Sequence, residues 1–274
     1  PQPVNTPYTV DRMKEVLSNF FVESYVNTTS AHYYSGVELK TATCDNTDVA
    51  EVGFVGRTLL NAFNALEYGS QQNRPELVNS ANNIFDTYLT NGFSPAGFFN
   101  EVVHYNRDFK EPNLSIRRQS EGVYAILNYL DYEKQHKRKH PEWENRLKVI
   151  LDSFLRLQNA DGSFPRKFKD DFSIVDGTGG STPSATLPLV MAYKYFKDKR
   201  YLESAKCTVD YLENELISKS DYFSSTLDAN CEDKEASLYA ATATYYLALV
   251  TKGTERSHYA ELCKKAAYFA LSWY

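Results

Sequence analysis

The spacing of the predicted helices constrains the fold of this chain more than any other feature. Apolar residues recur at helical offsets in nine segments, most clearly from Trp143 to Leu155. The nine predicted helices cover residues 8–27, 48–68, 74–91, 116–136, 141–159, 183–197, 199–218, 234–252 and 256–274. Short connections alternate strictly with long ones, which predicts helical hairpins whose long loops gather at one end. No alternating pattern of useful strand length is present, so the sequence predicts an all-α fold.

The long loops resemble one another, because each combines a turn residue with aromatic side chains. The four segments are Tyr34-Ser35-Gly36-Val37, Gly97-Phe98-Phe99-Asn100, Gly162-Ser163-Phe164-Pro165 and Asp221-Tyr222-Phe223-Ser224. With Gly36, Gly97, Gly162 and Tyr222 as markers, they recur at intervals of 61, 65 and 60 residues. Such a period indicates a repeated unit of helix, long loop, helix and short loop.

The helices divide into two classes, and their first turns carry recognisable start signals. Helices entered from long loops are richer in small and apolar residues, as in Glu235–Val250, which is typical of buried helices. The other helices carry charged stripes, so we expect an inner ring wrapped by an outer ring. Asp48 and Glu51 have capping-box spacing, which predicts that the second helix begins there. Pro188 inside the sixth helix predicts a kink or a delayed start.

This arrangement resembles the α/α toroids, and within them the six-hairpin glycosidase-like superfamily. The segments Leu157–Phe164 and Leu227–Ala236 are similar to segments that line the cleft of bacterial carbohydrate-processing toroids. The resemblance implies an α/α toroid of helical hairpins, an incomplete six-hairpin barrel, formed as a single domain over residues 1–274. Nine helices make four and a half hairpins, and a closed six-hairpin ring contains more. We therefore expect a chain truncated at its C-terminus, an open ring, or a ring that closes with fewer helices.

Composition excludes some partners and leaves the role of the aromatic residues open. With 30 Lys and Arg against 35 Asp and Glu, the net charge of −5 provides no footprint for nucleic acid. No apolar run is long enough to span a membrane. The 21 Tyr, 16 Phe and 2 Trp fit a Tyr-rich helical core, and they also fit a cleft whose rings stack on sugars.

Candidate site residues lie near the N-termini of the inner helices, which present free N–H groups to the long-loop face. Glycoside hydrolysis uses two carboxyl groups, so we assign catalytic roles to Asp228, Asp233 and Glu235. The fourth helix offers Arg117, Arg118 and Glu121, and the two arginines fit a carboxylate such as a uronic acid. The predicted substrate-binding residues are Phe99, Glu101, Arg117, Arg118, Asp161, Phe164 and Tyr222.

Several of these residues also have ordinary structural interpretations. Asp233 and Glu235 have the position of helix caps, and Asp228 can form its own loop turn. Asp161-Gly162 matches a turn with glycine in a left-handed conformation. The five histidines do not cluster and the four cysteines lack metal-ligand spacing, so we expect no metal and no cofactor.

The interpretation that combines these features is a glycoside hydrolase acting on an oligosaccharide or polysaccharide, secreted or periplasmic. A polysaccharide lyase or sugar epimerase is an alternative, in which Tyr, His or Arg acts in place of a carboxylate pair. A non-catalytic glycan-binding or scaffold toroid is another alternative. A terpene-cyclase-like toroid is a further one, because Gln158 and Asp161-Gly162-Ser163-Phe164 resemble an element of that group.

Overall fold

The computed structural model describes residues 7–23, 37–39, 46–54, 57–104, 109–223 and 231–274. The α-helices in these ranges are α1 Val10–Glu23, α2 Thr58–Gln71, α3 Pro75–Asn91, α4 Ile116–Gln135, α5 Pro141–Leu157, α6 Thr182–Phe196, α7 Lys199–Tyr211, α8 Lys234–Val250 and α9 Gly253–Leu271. A π-helical turn, Leu212–Ile217, extends α7. The strands are β1 Val37–Leu39, β2 Asn46–Glu51, β3 Val102–His104, β4 Phe109–Lys110, β5 Asn113–Ser115, β6 Lys167–Lys169 and β7 Ile174–Asp176.

The helices form the predicted inner and outer layers. Helices α2, α4, α6 and α8 pack side by side in chain order, while α3, α7 and α9 pack against α2, α6 and α8 as hairpin partners. Small buried residues on α6 and α8, such as Ala185, Ala192, Ala240 and Ala243, allow the inner helices to approach closely. The predicted α/α toroid is therefore confirmed in the described part of the chain.

Packing and capping explain where most helices lie. The apolar stripe of α5, which includes Trp143, Leu147, Ile150 and Phe154, is buried against the core. The Oγ of Ser115 accepts a hydrogen bond from the backbone N–H of Arg118 and so caps α4. Pro188 lies inside α6. The helix begins at Thr182, six residues before the proline, so its start is not delayed. None of the described helices combines the length and apolar character needed to cross a bilayer.

The prediction that the second helix begins at Asp48 is wrong. Residues 46–51 form β2, which pairs antiparallel with β3 so that Ala50 lies opposite Val103, and α2 begins only at Thr58. Strand β2 pairs with β1 on one side and, through residues 49–51, with β3 about fifty residues away on the other, and local helical periodicity cannot reveal such pairing.

The strands also show that the fold is not purely helical. Each described strand is six residues or shorter, and together they form one sheet in the order β1-β2-β3-β4 and another in the order β5-β6-β7. They lie in the long connections that precede the inner helices. These connections contact one another, because the backbone N–H groups of Val52 and Ile116 donate to the backbone carbonyls of Glu101 and Arg166, respectively. The connections before α2, α4 and α6 therefore meet at one end of the toroid, as the sequence predicted for the long loops.

Candidate functional site

The four inner helices enclose a cavity of about 160 Å³, called the central cavity here. Its lining residues are Arg57, Leu60, Ser120, Glu121, Tyr124, Ser184, Leu187, Pro188, Tyr239 and Thr242. Every inner helix contributes, with Arg57 immediately before α2. The Oγ of Ser120 is buried and has no hydrogen-bond partner among the described residues. The lining is mainly apolar, and Arg57, Glu121 and Tyr239 bring its charged and phenolic groups.

Glu121 is the most heavily hydrogen-bonded side chain of this cavity. The phenol of Tyr239 donates to its Oε1 at 2.5 Å, and Arg57 Nη2 and Arg117 Nε both lie 3.4 Å from the same oxygen. The backbone N–H of Phe54 donates to its Oε2. Donors from α8, from the segment before α2 and from α4 itself hold this carboxylate in one orientation.

Arg117 connects this carboxylate to a second one. Its side chain is 1% exposed, and its Nη2 donates to Glu235 Oε2 at 2.6 Å. The guanidinium also lies over the rings of Phe54 and Tyr239, 5.0 and 5.5 Å from their centroids. Burial opposes the charge of Arg117, but Tyr239, Glu121 and Glu235 together raise its pKa. Two carboxylates from different inner helices thus share one buried cation.

The loop before α2 is strained where it meets Glu121. Phe54 and Arg57 have left-handed backbones, with φ of 58° and 43°. A Cβ added to Gly53 would lie 2.6 Å from Glu121 Oε2 and 2.8 Å from the Cα of Arg118, so only glycine fits there. Strained backbone of this kind concentrates at binding and catalytic sites.

A larger cavity of about 360 Å³, called the outer cavity here, lies beside the N-terminus of α4. Its lining residues are Glu101, Val102, Glu111, Asn113, Leu114, Ser115, Arg118 and Lys167. Arg118 binds Glu51 at 3.2 Å, and its guanidinium lies 5.6 Å from the centre of the Phe54 ring. The Phe54 ring contacts both Arg117 and Arg118, so it lies between Arg118 of the outer cavity and the arginine that binds Glu121 of the central cavity.

Glu101 is the buried carboxyl group of the outer cavity. Its Oε1 accepts hydrogen bonds from the Ser115 N–H at 2.6 Å and the Gln119 amide at 3.0 Å, and its Oε2 accepts one from Ser115 Oγ at 3.1 Å. Burial raises the pKa of Glu101 to about 7, against the opposing effects of Arg118 and these hydrogen bonds. Glu101 therefore exchanges its proton near neutral pH.

The structure brings two of the predicted substrate-binding residues, Glu101 and Arg118, into the lining of the outer cavity. Arg117 and Glu235 bind each other, and Arg117 reaches the central cavity through Glu121, which lines it. Asp233 caps α8, since its Oδ1 accepts the backbone N–H of Glu235 at 2.8 Å. Asp228, the remaining predicted catalytic carboxylate, lies outside the described residues.

Three aromatic residues predicted to bind substrate lie in the core instead. Phe99 and Phe164 are fully buried and Tyr222 is 1% exposed. Their rings pack against those of Phe93, Phe154 and Phe269. A ring enclosed by other side chains offers no face to a sugar, so the structure does not support the stacking role that the loop pattern suggested.

Asp161 also has a structural role and lines neither cavity. Its Oδ1 accepts hydrogen bonds from the N–H and the Oγ of Ser163, and these bonds lower the pKa of Asp161. Gly162, with φ of 89°, completes the turn. The turn interpretation therefore accounts for this motif better than substrate binding does.

Sequence reasoning missed Phe54, Arg57 and Tyr239 as site residues. Tyr239 follows Glu235 by four positions, as Glu121 follows Arg117, and this spacing places each pair on one helix face. That signal was available in the sequence. Phe54 and Arg57 reach Glu121 through a loop conformation that has no sequence signature. Across the described residues, no group of three or more His, Cys, Asp or Glu side chains is arranged to hold a metal ion.

No protein-family model matches the chain, and no curated protein matches its sequence. Solved structures do match. The GH76 α-mannanase of Bacteroides thetaiotaomicron superimposes with a TM-score of 0.67 at 12% identity, covering 95% of this chain and 70% of that one. A D-mannose isomerase superimposes with a TM-score of 0.66 at 13% identity, covering 99% of this chain and 72% of that one.

An unsaturated glucuronyl hydrolase from Bacillus sp. GL1 superimposes with a TM-score of 0.59 at 13% identity, covering 76% of this chain. The matched region spans 59% of that enzyme's length. These structures are six-hairpin glycosidase-like toroids, which confirms the predicted fold resemblance. The superpositions establish the fold. At sequence identities this low they do not establish the activity, which has to be argued from the residues of the site.

Proposed function

We propose that this protein is a carbohydrate-active enzyme, specifically a glycoside hydrolase that binds an oligosaccharide or polysaccharide at the central cavity. The observation that carries the proposal is the pairing of Glu121 and Glu235, from two inner helices, through Arg117. Glycosidases typically use two carboxyl groups that flank the scissile bond. The α-mannanase and the glucuronyl hydrolase that share this fold support the same class of reaction.

The two carboxylates differ in environment, which suggests different roles. Glu121 has a side chain only 10% exposed and is fixed by its donors, so we assign it the role of nucleophile or of base for the attacking water. Glu235 has a side chain 44% exposed and is the more solvent-accessible of the two, so we assign it the proton transfer to the leaving group. Arg117 is the positioning residue that orients both.

The central cavity fits the other enzyme classes less well. Burial and the nearby Glu121 carboxylate raise the pKa of Tyr239, which makes it a poor base for a lyase or an epimerase. Arg57 and Glu121 place charged groups in the wall of the cavity, whereas a terpene cyclase needs a chamber without them. A secreted or periplasmic location remains part of the proposal, because polymeric glycans are encountered there.

The test is reducing-sugar release from a panel of α- and β-linked glycans by the wild type and by Glu121→Gln and Glu235→Gln. We expect each substitution to lower kcat/KM by about 10²- to 10⁴-fold. Glu142→Gln, an exposed glutamate in the first turn of α5, is the matched control and should retain wild-type activity. Circular dichroism of each variant checks that the fold is kept.

Three results would contradict the proposal. Full activity in both cavity variants would remove the assignment of the two carboxylates. Glycan binding without turnover by the wild type would indicate a binding or scaffold toroid. Conversion of a sugar without release of reducing ends, detected by NMR of the products, would indicate an epimerase.

A further inference from the structure

The polar groups of the central cavity gather around Glu121. Tyr239 of α8 and Arg57 before α2 both donate to its carboxylate, and Ser120 precedes it on α4. Ser120 is 1% exposed, and neither its Oγ nor the buried Nε of Arg57 has a hydrogen-bond partner among the described residues. Buried polar atoms are rarely left unpaired, so these two groups are available to the hydroxyl groups of a ligand.

Another part of the wall is apolar. Leu60 of α2 and Leu187 and Pro188 of α6 contribute side chains without polar atoms, and a proline has no N–H to donate. Ser184 and Thr242 also line the cavity, but the hydroxyl of each already donates to a backbone carbonyl of the preceding turn, at 2.7 and 2.8 Å. A ligand hydroxyl that faced Leu187 and Pro188 would therefore lose its hydrogen bonds to water without equivalent replacement.

The volume of the central cavity, about 160 Å³, is that of a site for one sugar ring. An engineered apolar protein cavity of about 150 Å³ holds a molecule of benzene, which is also a six-membered ring. Because one ring fills the space, the polar and the apolar parts of the wall contact the same sugar unit. That unit therefore needs one edge that carries hydroxyl groups and another edge that carries none.

Sugars differ in whether they have such an edge. An ordinary hexopyranose bears hydroxyl groups on successive ring carbons and a hydroxymethyl group on the carbon beside the ring oxygen. This last edge is free of hydroxyls where a methyl group replaces the hydroxymethyl group, as in a deoxyhexose, or where hydrogen replaces it, as in a pentopyranose. We propose that the central cavity binds a sugar unit of this kind, with its hydroxyl-free edge against Leu187 and Pro188. The inference rests on the proposed function and names its class of substrate.

A uronic acid fits this arrangement less well than a neutral sugar does. It carries a carboxylate at the same ring edge, and contact with Leu187 and Pro188 would remove that charge from water. Arg57, the cation of the described lining, already lies 3.4 Å from Glu121. A second carboxylate beside Arg57 would be repelled by that glutamate. The expected sugar unit is therefore neutral.

The first test uses aryl glycosides in matched sets of hexoside, deoxyhexoside, pentoside and uronide, which differ only at this ring edge. We expect the wild type to hydrolyse the deoxyhexoside or the pentoside with a kcat/KM about 10- to 100-fold above that of the hexoside. Leu187→Ser offers a hydrogen bond to the hydroxymethyl group and should lower this ratio about tenfold. Leu202→Ser, at a similarly half-buried leucine of α7 outside the cavity, is the matched control and should keep the ratio.

Calorimetric titration of Glu121→Gln with the free sugars supplies a readout that needs neither turnover nor the Leu187 variant. We expect the deoxyhexose or the pentose to bind more tightly than the hexose. Ser120→Ala in the same background should weaken that binding about tenfold, the scale of one lost hydrogen bond. Ser153→Ala, which removes a hydroxyl on α5 that donates to Val149 outside the cavity, is the control and should leave the affinity unchanged.

The outcomes separate this inference from the proposed function. Hydrolysis of the hexoside or the uronide at least as fast as that of the other two would overturn the inference and leave the proposed function supported. An unchanged ratio in Leu187→Ser that keeps its circular dichroism spectrum would also overturn it. Preferred binding of the deoxyhexose or the pentose without hydrolysis by the wild type would contradict the proposed function and support the binding site. Absence of binding for all four sugars would contradict both.

Discussion

Arg117 and Glu235 join two inner helices beside the central cavity, with Nη2 of the arginine 2.6 Å from Oε2 of the glutamate. The two residues are unequal partners, because the arginine side chain is 1% exposed and that of the glutamate is 44% exposed. Removal of Glu235 leaves Arg117 paired with Glu121. Removal of Arg117 deprives the nearly buried carboxylate of Glu121 of one of its hydrogen-bond donors.

Arg117→Met should therefore cost far more stability than Glu235→Gln. Loss of one partner from a buried ion pair costs about 3 kcal/mol, whereas a partly exposed partner contributes less than about 1 kcal/mol. Urea denaturation of both variants measures the difference. Arg12→Met, which removes an exposed pair on α1, is the control and should leave the unfolding midpoint in place. Equal losses from Arg117→Met and Glu235→Gln would show that Arg117 does not hold the site together.

Phe164→Ala should behave as a core substitution. Its ring is fully buried, and the centre of the ring lies 6.0 Å from the centre of the Phe154 ring. Truncation should therefore lower the free energy of unfolding by about 3–5 kcal/mol. Tyr268→Ala, at a 63% exposed position on α9, is the control and should change stability little. Thermal and urea unfolding measure both variants. Unchanged stability together with lost glycan binding would restore the sugar-stacking role predicted from the loop pattern.

The helical layers could be predicted because their signals are local. The stripe from Trp143 to Phe154 buries one face of α5, and its period appears in the sequence without knowledge of any partner. Strand β2 could not be predicted in this way, because three of its six residues pair with Val102–His104 from a distant loop. Asp48 and Glu51, which lie in β2, therefore suggested a capping box that does not exist.

The sequence predicted those site residues that lie in the first turn of a helix. Arg117 and Glu235 lie in the first turns of α4 and α8, where N-terminal polar residues were expected to face the loop end. The aromatic loop residues were assigned to the cleft because composition does not show which way a ring points. Arg57 and Phe54 reach Glu121 only through left-handed backbone conformations, which tertiary contacts impose.

Glu101 should make stability depend on pH near neutrality. Burial raises the pKa of Glu101 to about 7, so the folded state binds its proton more tightly than the unfolded state does. The stabilisation is complete below the ordinary glutamate pKa, falls as the pH rises towards about 7, and is lost above it. The amplitude is on the order of 3 kcal/mol.

Glu101→Gln resembles the protonated carboxyl group and should remove this dependence. Free energies of unfolding for the wild type and Glu101→Gln, measured from pH 4 to 8, give a difference curve in which other titrating groups cancel. We expect the wild type to lose stability relative to the variant between about pH 4.5 and 7, and the difference to stay constant above that range. Parallel curves throughout would show that Glu101 titrates as an ordinary glutamate.

Two glycines have left-handed backbones, but only one of them is closely packed. Alanine substitutions at the two positions therefore distinguish the cost of backbone strain from the cost of a steric clash. Gly162 has φ of 89°, and an added Cβ would lie 1.9 Å from the backbone oxygen of Cys207 on α7. Gly253 has φ of 59° and nothing within 4 Å of the position of a Cβ. Gly253→Ala should therefore cost only the strain of a left-handed alanine, about 1 kcal/mol. Gly162→Ala should cost a similar amount plus about 1–3 kcal/mol or more for displacing α7.

Urea denaturation of Gly162→Ala and Gly253→Ala compares the two costs directly. The larger loss at Gly162 is expected because the obstructing atom belongs to the backbone of α7 and cannot rotate away. Such a result would show that the Asp161-Gly162 turn is required for packing between the α5 end and α7. Equal losses in the two variants would mean that α7 moves without cost, and the motif would then need another explanation.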